Sequence, residues 1–462
     1  MNIARSSSTR AIAPVILCQL MLMVDGVIVT VALPAIRIDL GLDAVSLSWV
    51  VSAYALSFAG LLLVSGRIGS VIGPRRALLI GVTGFIIASA LGGVAWGGGV
   101  LIAARALQGA CAALAAPSIL VLLATSAPAG PERLRAMSWQ VIASSAGSAL
   151  GLVAGGVLTV TAGWRWVMYV NVPIGLFVLV GVLLFVGEAE RARVRIDAGG
   201  AVASALAMAG IVFGLARAGA TGWSDPTVVA SFAVAVIAGS VLVAVERRTA
   251  HPVLPGVLLR GRSALPYIAV ALMPAMMIGF FTYSVLLLHD LRHLDALLTG
   301  LAYLPWAASV VIGGRLVGLL VARIGERWTV LVGASIGILG IALIAVFGAV
   351  GPLWLGFVAP CFLVGFAPGL VFSVLTNRIL SAAPAADVGA ASALLQSMQQ
   401  LGGAVGVATL STVFATTGSL PFALAAACGF GLLLVVIFGA PRALSPSPRP
   451  AVLEASASDI RP

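Results

Sequence analysis

Residues 21–36 read MLMVDGVIVTVALPAI, an apolar run broken by one carboxylate, Asp25. With its flanks the run covers residues 14–34, and about twenty consecutive apolar residues is what an α-helix needs to cross a bilayer. A strand of a membrane barrel would instead alternate over roughly ten residues. The stretch therefore reads as a transmembrane helix. An aspartate near the middle of such a helix costs on the order of a few kcal/mol or more, so Asp25 requires either a partner or a purpose.

The rest of the chain extends this pattern. Of 462 residues, 61% are hydrophobic and 9% charged, with a mean hydropathy of +1.15. A soluble domain has about a quarter of its residues charged, so this is a polytopic membrane protein. The 54 glycines favour closely approaching helices. Net charge is +11, and all 26 basic residues are Arg. Without Lys there is no GxxxxGK(S/T) phosphate loop, which excludes a Walker-type ATP pump. The basic excess reads as membrane orientation, not nucleic-acid binding. Cys18, Cys111, Cys361 and Cys428 fall inside apolar runs with no CxxC pair. They read as small core residues, and no cofactor or metal is expected. The run after Ala11 is of spanning length and closes on no small-residue cleavage site, so no removable leader is expected.

Spans of about twenty apolar residues can be placed at 14–34, 47–66, 78–96, 99–124, 136–161, 167–187, 198–216, 226–245, 265–288, 298–321, 328–348, 352–376, 388–415 and 418–440. The positive-inside rule tests this count of fourteen. With the N-terminus in the cytoplasm, the inside segments hold 20 of the 26 arginines, and the outside loops hold only Arg37, Arg165, Arg217 and Arg292. Arg105 and Arg315 fall within spans. Both termini are thus expected in the cytoplasm. The tail 442–462 is rich in Pro and Ser and is expected to be disordered.

An internal repeat is visible. GRIGSVIG at 66–73 follows the second span and GLLVARIG at 318–325 follows the tenth, each with an Arg two positions beyond its last Gly. The organisation expected is a cytoplasmic tail 1–13, a six-helix half 14–190, two inserted helices with their loops at 191–259, a second six-helix half 260–441, and the tail.

Several strings then carry a family resemblance. VDGVIVTVALPAI (24–36), WVVSAYAL (49–56), ARALQGACAA (104–113), SAGSALGLVAGGVL (145–158), WRWVMYVNVPIG (164–175) and GAASALLQSMQQLGGAVGVA (389–408) occur in this order on spans 1, 2, 4, 5, 6 and 13. Together they resemble the fourteen-spanner drug:proton antiporters of the major facilitator superfamily, nearly end to end. The resemblance implies an all-α membrane protein with the major facilitator fold. It also implies Arg105 in proton coupling and the helix-5 glycines as an antiporter motif. The chain departs from the family where G-x-x-x-D-R-x-G-R-R is usual between spans 2 and 3. Gly66, Gly73 and Arg75 are kept, but Ser70, Val71 and Pro74 replace the acidic and two basic positions. In the family that acidic residue is thought to latch the two halves; Ser70 can cap a helix but brings no charge. Leu152 stands where Pro is usual, and Thr30 where Asn is usual.

Asp25 is the one carboxylate placed inside a span. At 1.5 Å per residue it lies roughly 16 Å from the inner start of its helix, near midplane. Burial disfavours a charged carboxylate and a nearby cation favours it, so a site poised between the two can take up and release a proton. The plain alternative is a paired or permanently protonated structural residue. Arg105, roughly 9 Å below the outer face, is its candidate partner, with Gln108 one turn on. Gly147, Gly151 and Gly155, with Gly156 adjacent, form a stripe for close packing; at the interface of the halves it could let them rock. Ser392, Gln396, Gln399, Gln400 and Gly403 share a helix face, and the three glutamines with Gln108 are candidates for the substrate cavity. Met273, Met276, Met277, Phe280, Phe281 and Tyr283 offer a soft aromatic surface, of which Met276 and Phe280 are the cavity candidates; lipid-facing packing is the alternative. Arg315 is expected to snorkel. HDLRHLD at 289–295 and His251 match no tight metal spacing and read as loop residues.

The function these readings favour is proton-coupled export of amphipathic or lipophilic drugs or antibiotics across a bacterial cytoplasmic membrane by alternating access. The expected partners are a small-molecule substrate, protons and the bilayer, with the chain acting as a monomer. A carrier of a small polar metabolite would need more fixed polar groups in the spans. A membrane enzyme lacks a second carboxylate for acid/base work, and a non-transporting receptor would show no flux.

Overall fold

The computed structural model describes residues 2–127, 130–188, 197–249, 252–259, 263–294 and 296–439. The tail 442–462, His251, Asp295 and the loop arginines Arg191, Arg193, Arg195, Arg260 and Arg262 lie outside the described residues. Every regular element among those described is helical: α1 Asn2–Leu40, α2 Ala44–Ile72, α3 Pro74–Gly93, α4 Gly98–Ser126, α5 Pro131–Thr161, α6 Arg165–Tyr169, α7 Asn171–Phe185, α8 Ala198–Thr221, α9 Pro226–Glu246, α10 Gly256–Leu259, α11 Ala264–Leu286, α12 Ala296–Ala302, α13 Leu304–Phe347, α14 Ala359–Ala367, α15 Ser373–Ala382, α16 Val388–Thr417 and α17 Leu420–Gly439. Twelve stretches among the described residues are long and apolar enough to cross a membrane. α1 starts at Asn2, so the segment expected as a tail continues the first helix.

α13 is longer than any bilayer crossing requires, and its φ of 81° at Gly325 breaks it into two helices. Gly73, the matching residue of the first repeat, separates α2 from α3 with φ 93°. Both positions need a backbone that only glycine adopts without strain. The arginines two residues beyond act alike. Arg75 donates to the carbonyl of Leu183 at 3.0 Å, near the end of α7, and Arg327 donates to the carbonyls of Phe438 and Gly439 at the end of α17. A cation thus meets the unpaired carbonyls of a helix C-terminus in each case, where the helix dipole favours it.

Prolines shape the twelfth expected span. π-helical turns at Trp354–Val358 and Pro368–Phe372 flank α14. Pro368 cannot donate to the ladder, and the wider turn accommodates that gap.

α8 and α9 pair as an antiparallel hairpin pinned at both ends. Asp197 caps α8 and accepts the hydroxyl of Thr249 at 2.8 Å, beyond α9. At the other end Asp225 caps α9 through the amide and hydroxyl of Thr227. Hydrogen bonds from Thr227 and Thr221, aided by Arg217, hold the Asp225 carboxyl at about 2. A depressed pKa of this kind stabilises the fold above the ordinary carboxylate range, and the contribution is lost only as pH falls through about 2. The hairpin's turn is therefore indifferent to pH near neutrality.

Candidate functional site

Five helices converge on Asp25. Asp25 comes from α1, Ser89 from α3, Arg105 and Gln108 from α4, and Asn171 is the first residue of α7; Val50 and Tyr54 of α2 close the cluster. The i, i+3 spacing of Arg105 and Gln108 puts both on one face of α4. On the neighbouring turn, a Cβ at Gly109 would collide with the Tyr54 carbonyl. The α2 and α4 backbones therefore touch, which brings the Tyr54 ring under the guanidinium, 4.3 Å from its centroid.

The cluster is sealed: Asp25, Ser89, Gln108 and Asn171 are fully buried and Arg105 is 1% exposed. Arg105 Nη1 donates to Asp25 Oδ2 at 2.7 Å and to Gln108 Oε1 at 2.9 Å, while its Nε donates to the Val50 carbonyl at 3.2 Å. Asp25 Oδ1 accepts from Asn171 Nδ2 at 2.7 Å and from Gln108 Nε2 at 3.1 Å. Gln108 Nε2 also donates to Ser89 Oγ at 2.7 Å. One carboxylate and one guanidinium thus neutralise each other and share a ring of amides. A buried pair persists only when its remaining valences are filled in this way, and removing one partner costs about 3–5 kcal/mol. One valence is open: Asn171 Oδ1 is buried without a hydrogen-bond partner.

Asp25 and Arg105 are brought together directly, and Gln108 belongs to their cluster, shut away from any cavity. Ser89, Tyr54 and Asn171 were not singled out from the sequence. Tyr54 and Asn171 lie inside WVVSAYAL and WRWVMYVNVPIG, but those strings do not say which way a side chain faces. Gln19 was also missed; it is nearly buried and donates to Ser144 Oγ on α5 at 3.0 Å.

The altered motif after α2 sits where N-terminal and C-terminal helices meet. A Cβ at Gly66 would collide with Ala393 and with the Gly389 carbonyl, and Ser70 Oγ crowds the Cβ position of Gly389. Ser70 itself donates to the Gly66 carbonyl at 2.9 Å. Arg67 brings charge to this junction, pairing with Asp387 at 3.3 Å and donating to the Pro252 carbonyl, and Arg133 donates to Ser381 Oγ at 3.3 Å. Ser392 Oγ donates to the Pro117 carbonyl at 3.2 Å, a further contact between N-terminal and C-terminal helices. Beside these contacts lies a cavity of about 920 Å³ lined by Ser65, Ser118, Thr125, Arg133 and Ser381, among others.

The glycine stripe is a close-packing surface, and the helix it meets is α1. A Cβ at Gly147, Gly151 or Gly155 would lie 2.8–2.9 Å from Met23 or from the carbonyls of Leu20, Val24 and Ile28. The stripe therefore packs α5 on α1, beside Asp25, and not across the interface of the halves. Gly156 points into open space. Gln396, Gln399 and Gln400 are half-buried on α16. Met276 and Phe280 are fully buried: Met276 meets Gly337 and Gly431, and Phe280 packs on Phe281 and Tyr303 at 5.0 and 5.8 Å. In this conformation they are core residues of the C-terminal helices. Arg315 is exposed with Ile312, Leu316 and Leu319. In the 289–295 cluster, Arg292 donates to the carbonyls of Gly348, Val350 and Gly351 at 2.6–2.8 Å, fixing the end of α13.

Known proteins resemble this chain in sequence and in architecture. The chain is 36% identical over 405 residues to the puromycin resistance protein of Streptomyces alboniger, covering 86% of this chain and 80% of that protein. It is 34% identical over 441 residues to the cephamycin export protein of Amycolatopsis lactamdurans, covering 94% and 90%. The fold resembles the human organic anion transporter TETRAN with a TM-score of 0.69 at 16% identity, covering 93% of this chain and 99% of that one. It also resembles the proton:xylose symporter XylE with a TM-score of 0.65 at 14% identity, covering 94% and 96%. Residues 15–407 and 316–459 match the Major Facilitator Superfamily. The chain is a multi-pass membrane protein that belongs to the Major Facilitator Superfamily.

Proposed function

We propose that this protein exports amphipathic or lipophilic antibiotics across a bacterial cytoplasmic membrane in exchange for protons, with Asp25 as the proton carrier. The observation that carries the reading is the sealed Asp25–Arg105 pair, at 2.7 Å in a span of 31 residues, in a chain whose relatives are named for antibiotic resistance and export. The pair is the one buried carboxylate–guanidinium contact among the described residues, so gain or loss of a proton there changes what holds α1 to α4. A proton taken up by Asp25 releases Arg105 from its counter-charge and loosens α1 from α4. That change is the coupling step, and alternating access of two halves is the transport step.

Fourteen transmembrane helices, two of them inserted between six-helix halves at 14–190 and 260–441, fit this reading. The break at Gly325 supports reading one long span as two crossings, and α16, at 30 residues, is long enough for a further one. The matched roles of Gly73 and Gly325, and of Arg75 and Arg327, favour two related halves. The arginine asymmetry favours both termini in the cytoplasm, which makes the contacts of Gly66, Arg67 and Ser70 a closed cytoplasmic gate. Gln396, Gln399 and Gln400 remain the residues proposed to line the substrate path. The unit of transport is proposed to be the monomer.

The test is puromycin efflux and substrate-evoked proton flux in proteoliposomes with an imposed pH gradient. Asp25→Asn keeps the shape but cannot ionise, and is expected to abolish gradient-driven efflux while retaining substrate binding. Proton flux at wild-type stoichiometry in that variant would make Asp25 structural.

A further inference from the structure

The two amides that donate to Asp25 are not equivalent. Gln108 is locked: its Oε1 accepts from Arg105 Nη1 at 2.9 Å, so turning it over would set its NH2 against the guanidinium, donor against donor. Its Nε2 is shared between Asp25 Oδ1 and Ser89 Oγ. Asn171 has no such lock. Its Nδ2 donates to Asp25 Oδ1 at 2.7 Å and its Oδ1, fully buried, has no partner. Buried amide oxygens are almost always hydrogen-bonded, so an unused acceptor beside an ionisable carboxyl requires a reason.

We propose that Asn171 is a two-position proton latch. Its amide donates to the ionised carboxylate, and it turns over to accept from the carboxylic acid. The idea rests on the reading of Asp25 as proton carrier. The proton comes to Oδ1, because Oδ2 faces the Arg105 guanidinium. Once Oδ1 carries hydrogen, Asn171 Nδ2 opposes it donor to donor. A half-turn about the Cβ–Cγ bond breaks the Nδ2–H···Oδ1 hydrogen bond and forms the hydrogen bond Asp25 Oδ1–H···Oδ1 of Asn171; apart from the Oδ1–H bond gained with the proton, no covalent bond changes. Deprotonation reverses the turn. The charged and titratable groups facing Asp25 are Arg105 from α4 and, through the guanidinium, the Tyr54 phenol ring from α2; α3 and α7 present the neutral Ser89 and Asn171, and α5 meets α1 beside Asp25 through Gly151, its charged residues Glu132, Arg133 and Arg135 lying in its first turns. Because Asn171 opens α7, its two positions report the protonation of α1 to the sixth span.

Infrared difference spectra of the whole protein, recorded across a pH step with isotope-labelled asparagine, test this. The expected result is an Asn171 amide-carbonyl band that shifts together with the carboxylic-acid band of Asp25. The first band is assigned by its absence from Asn171→Leu, and the second by its absence from Asp25→Asn. Asn171→Leu is also expected to lower coupled turnover about tenfold, the scale of one hydrogen bond to a charged group, while still binding substrate. An Asp25 acid band that appears with no change at Asn171 overturns the latch and leaves the carrier reading standing. No Asp25 acid band under any gradient removes both. An Asn171→Leu protein that unfolds would lose substrate binding too, and the smaller Asn171→Ser would then assign the band.

Discussion

A guanidinium held by three different acceptors does more than supply a charge. Arg105 spends Nη1 on Asp25 and Gln108, Nε on the Val50 carbonyl, and its flat face on Tyr54. Lys offers a point charge with no planar fork. We therefore expect Arg105→Lys to insert and fold but to lose most substrate-coupled proton flux, measured in proteoliposomes beside Asp25→Asn. Wild-type coupling in Arg105→Lys would show that charge alone suffices. Asp25, Arg105 and Gln108 were legible in the sequence because charged and amide side chains are anomalous in apolar spans. Asn171, Ser89 and Tyr54 were not, since such residues are tolerated in membrane helices and what they face depends on how other helices are rotated.

At the scale of elements, the glycine stripe on α5 sets the height and tilt of α1, and hence of Asp25. A methyl group at Gly151 would lie 2.8 Å from the Val24 carbonyl and 3.3 Å from Val27 Cβ, on either side of Asp25. Overpacking of this kind costs about 1–3 kcal/mol. Gly151→Ala is expected to lower the unfolding temperature and to slow efflux by disturbing the Asp25 cluster. Gly156→Ala, one position off the stripe with open space at its Cβ, should match wild type in both measurements. Equal effects of the two would mean that the stripe matters through backbone flexibility and not through contact. The four-residue spacing announced a close packing in the sequence, but not the identity of the partner helix. The exposed arginines are similar. Three of those expected outside are tied down, Arg165 to Asp39 at 2.6 Å, Arg217 to Asp225 at 4.0 Å and Arg292 to three carbonyls. Their retention against the inside bias therefore has a structural cause.

Across the whole molecule, the missing acid of the motif is offset by a different charge pair. Small residues at positions 66, 70 and 389 let α2 meet α16 without a gap, and Arg67 joins Asp387 of the C-terminal helices to the Pro252 carbonyl of the loop that follows the inserted hairpin. A carboxylate at position 70 would face the N-terminus of α16, where a helix dipole favours negative charge. Ser70→Asp should thus favour the closed gate and reduce labelling of a cysteine introduced at Ser381 on the wall of the cavity. Labelling equal to wild type in a folded variant would argue against the gate.

Legible from composition and spacing alone were the class of protein, the presence of a dozen or more apolar helices, twelve of them long and apolar enough to cross a membrane among the described residues, the glycines at 73 and 325, and the pair of charges that a membrane interior must reconcile. Each of these follows from local composition measured against a bilayer of fixed thickness, and a chain cannot disguise twenty apolar residues or a carboxylate among them. Only the tertiary structure decided that Asp25 meets Arg105 without an intermediary and that Asn171 stands beside it with an idle oxygen. It also decided that the glycine stripe serves α1, that Met276 and Phe280 are core, and that Arg67 pairs with Asp387 at the junction. Those outcomes depend on the rotation and tilt of whole helices about their axes. Side chains distributed along the full length of every span set these jointly, so no single stretch encodes them.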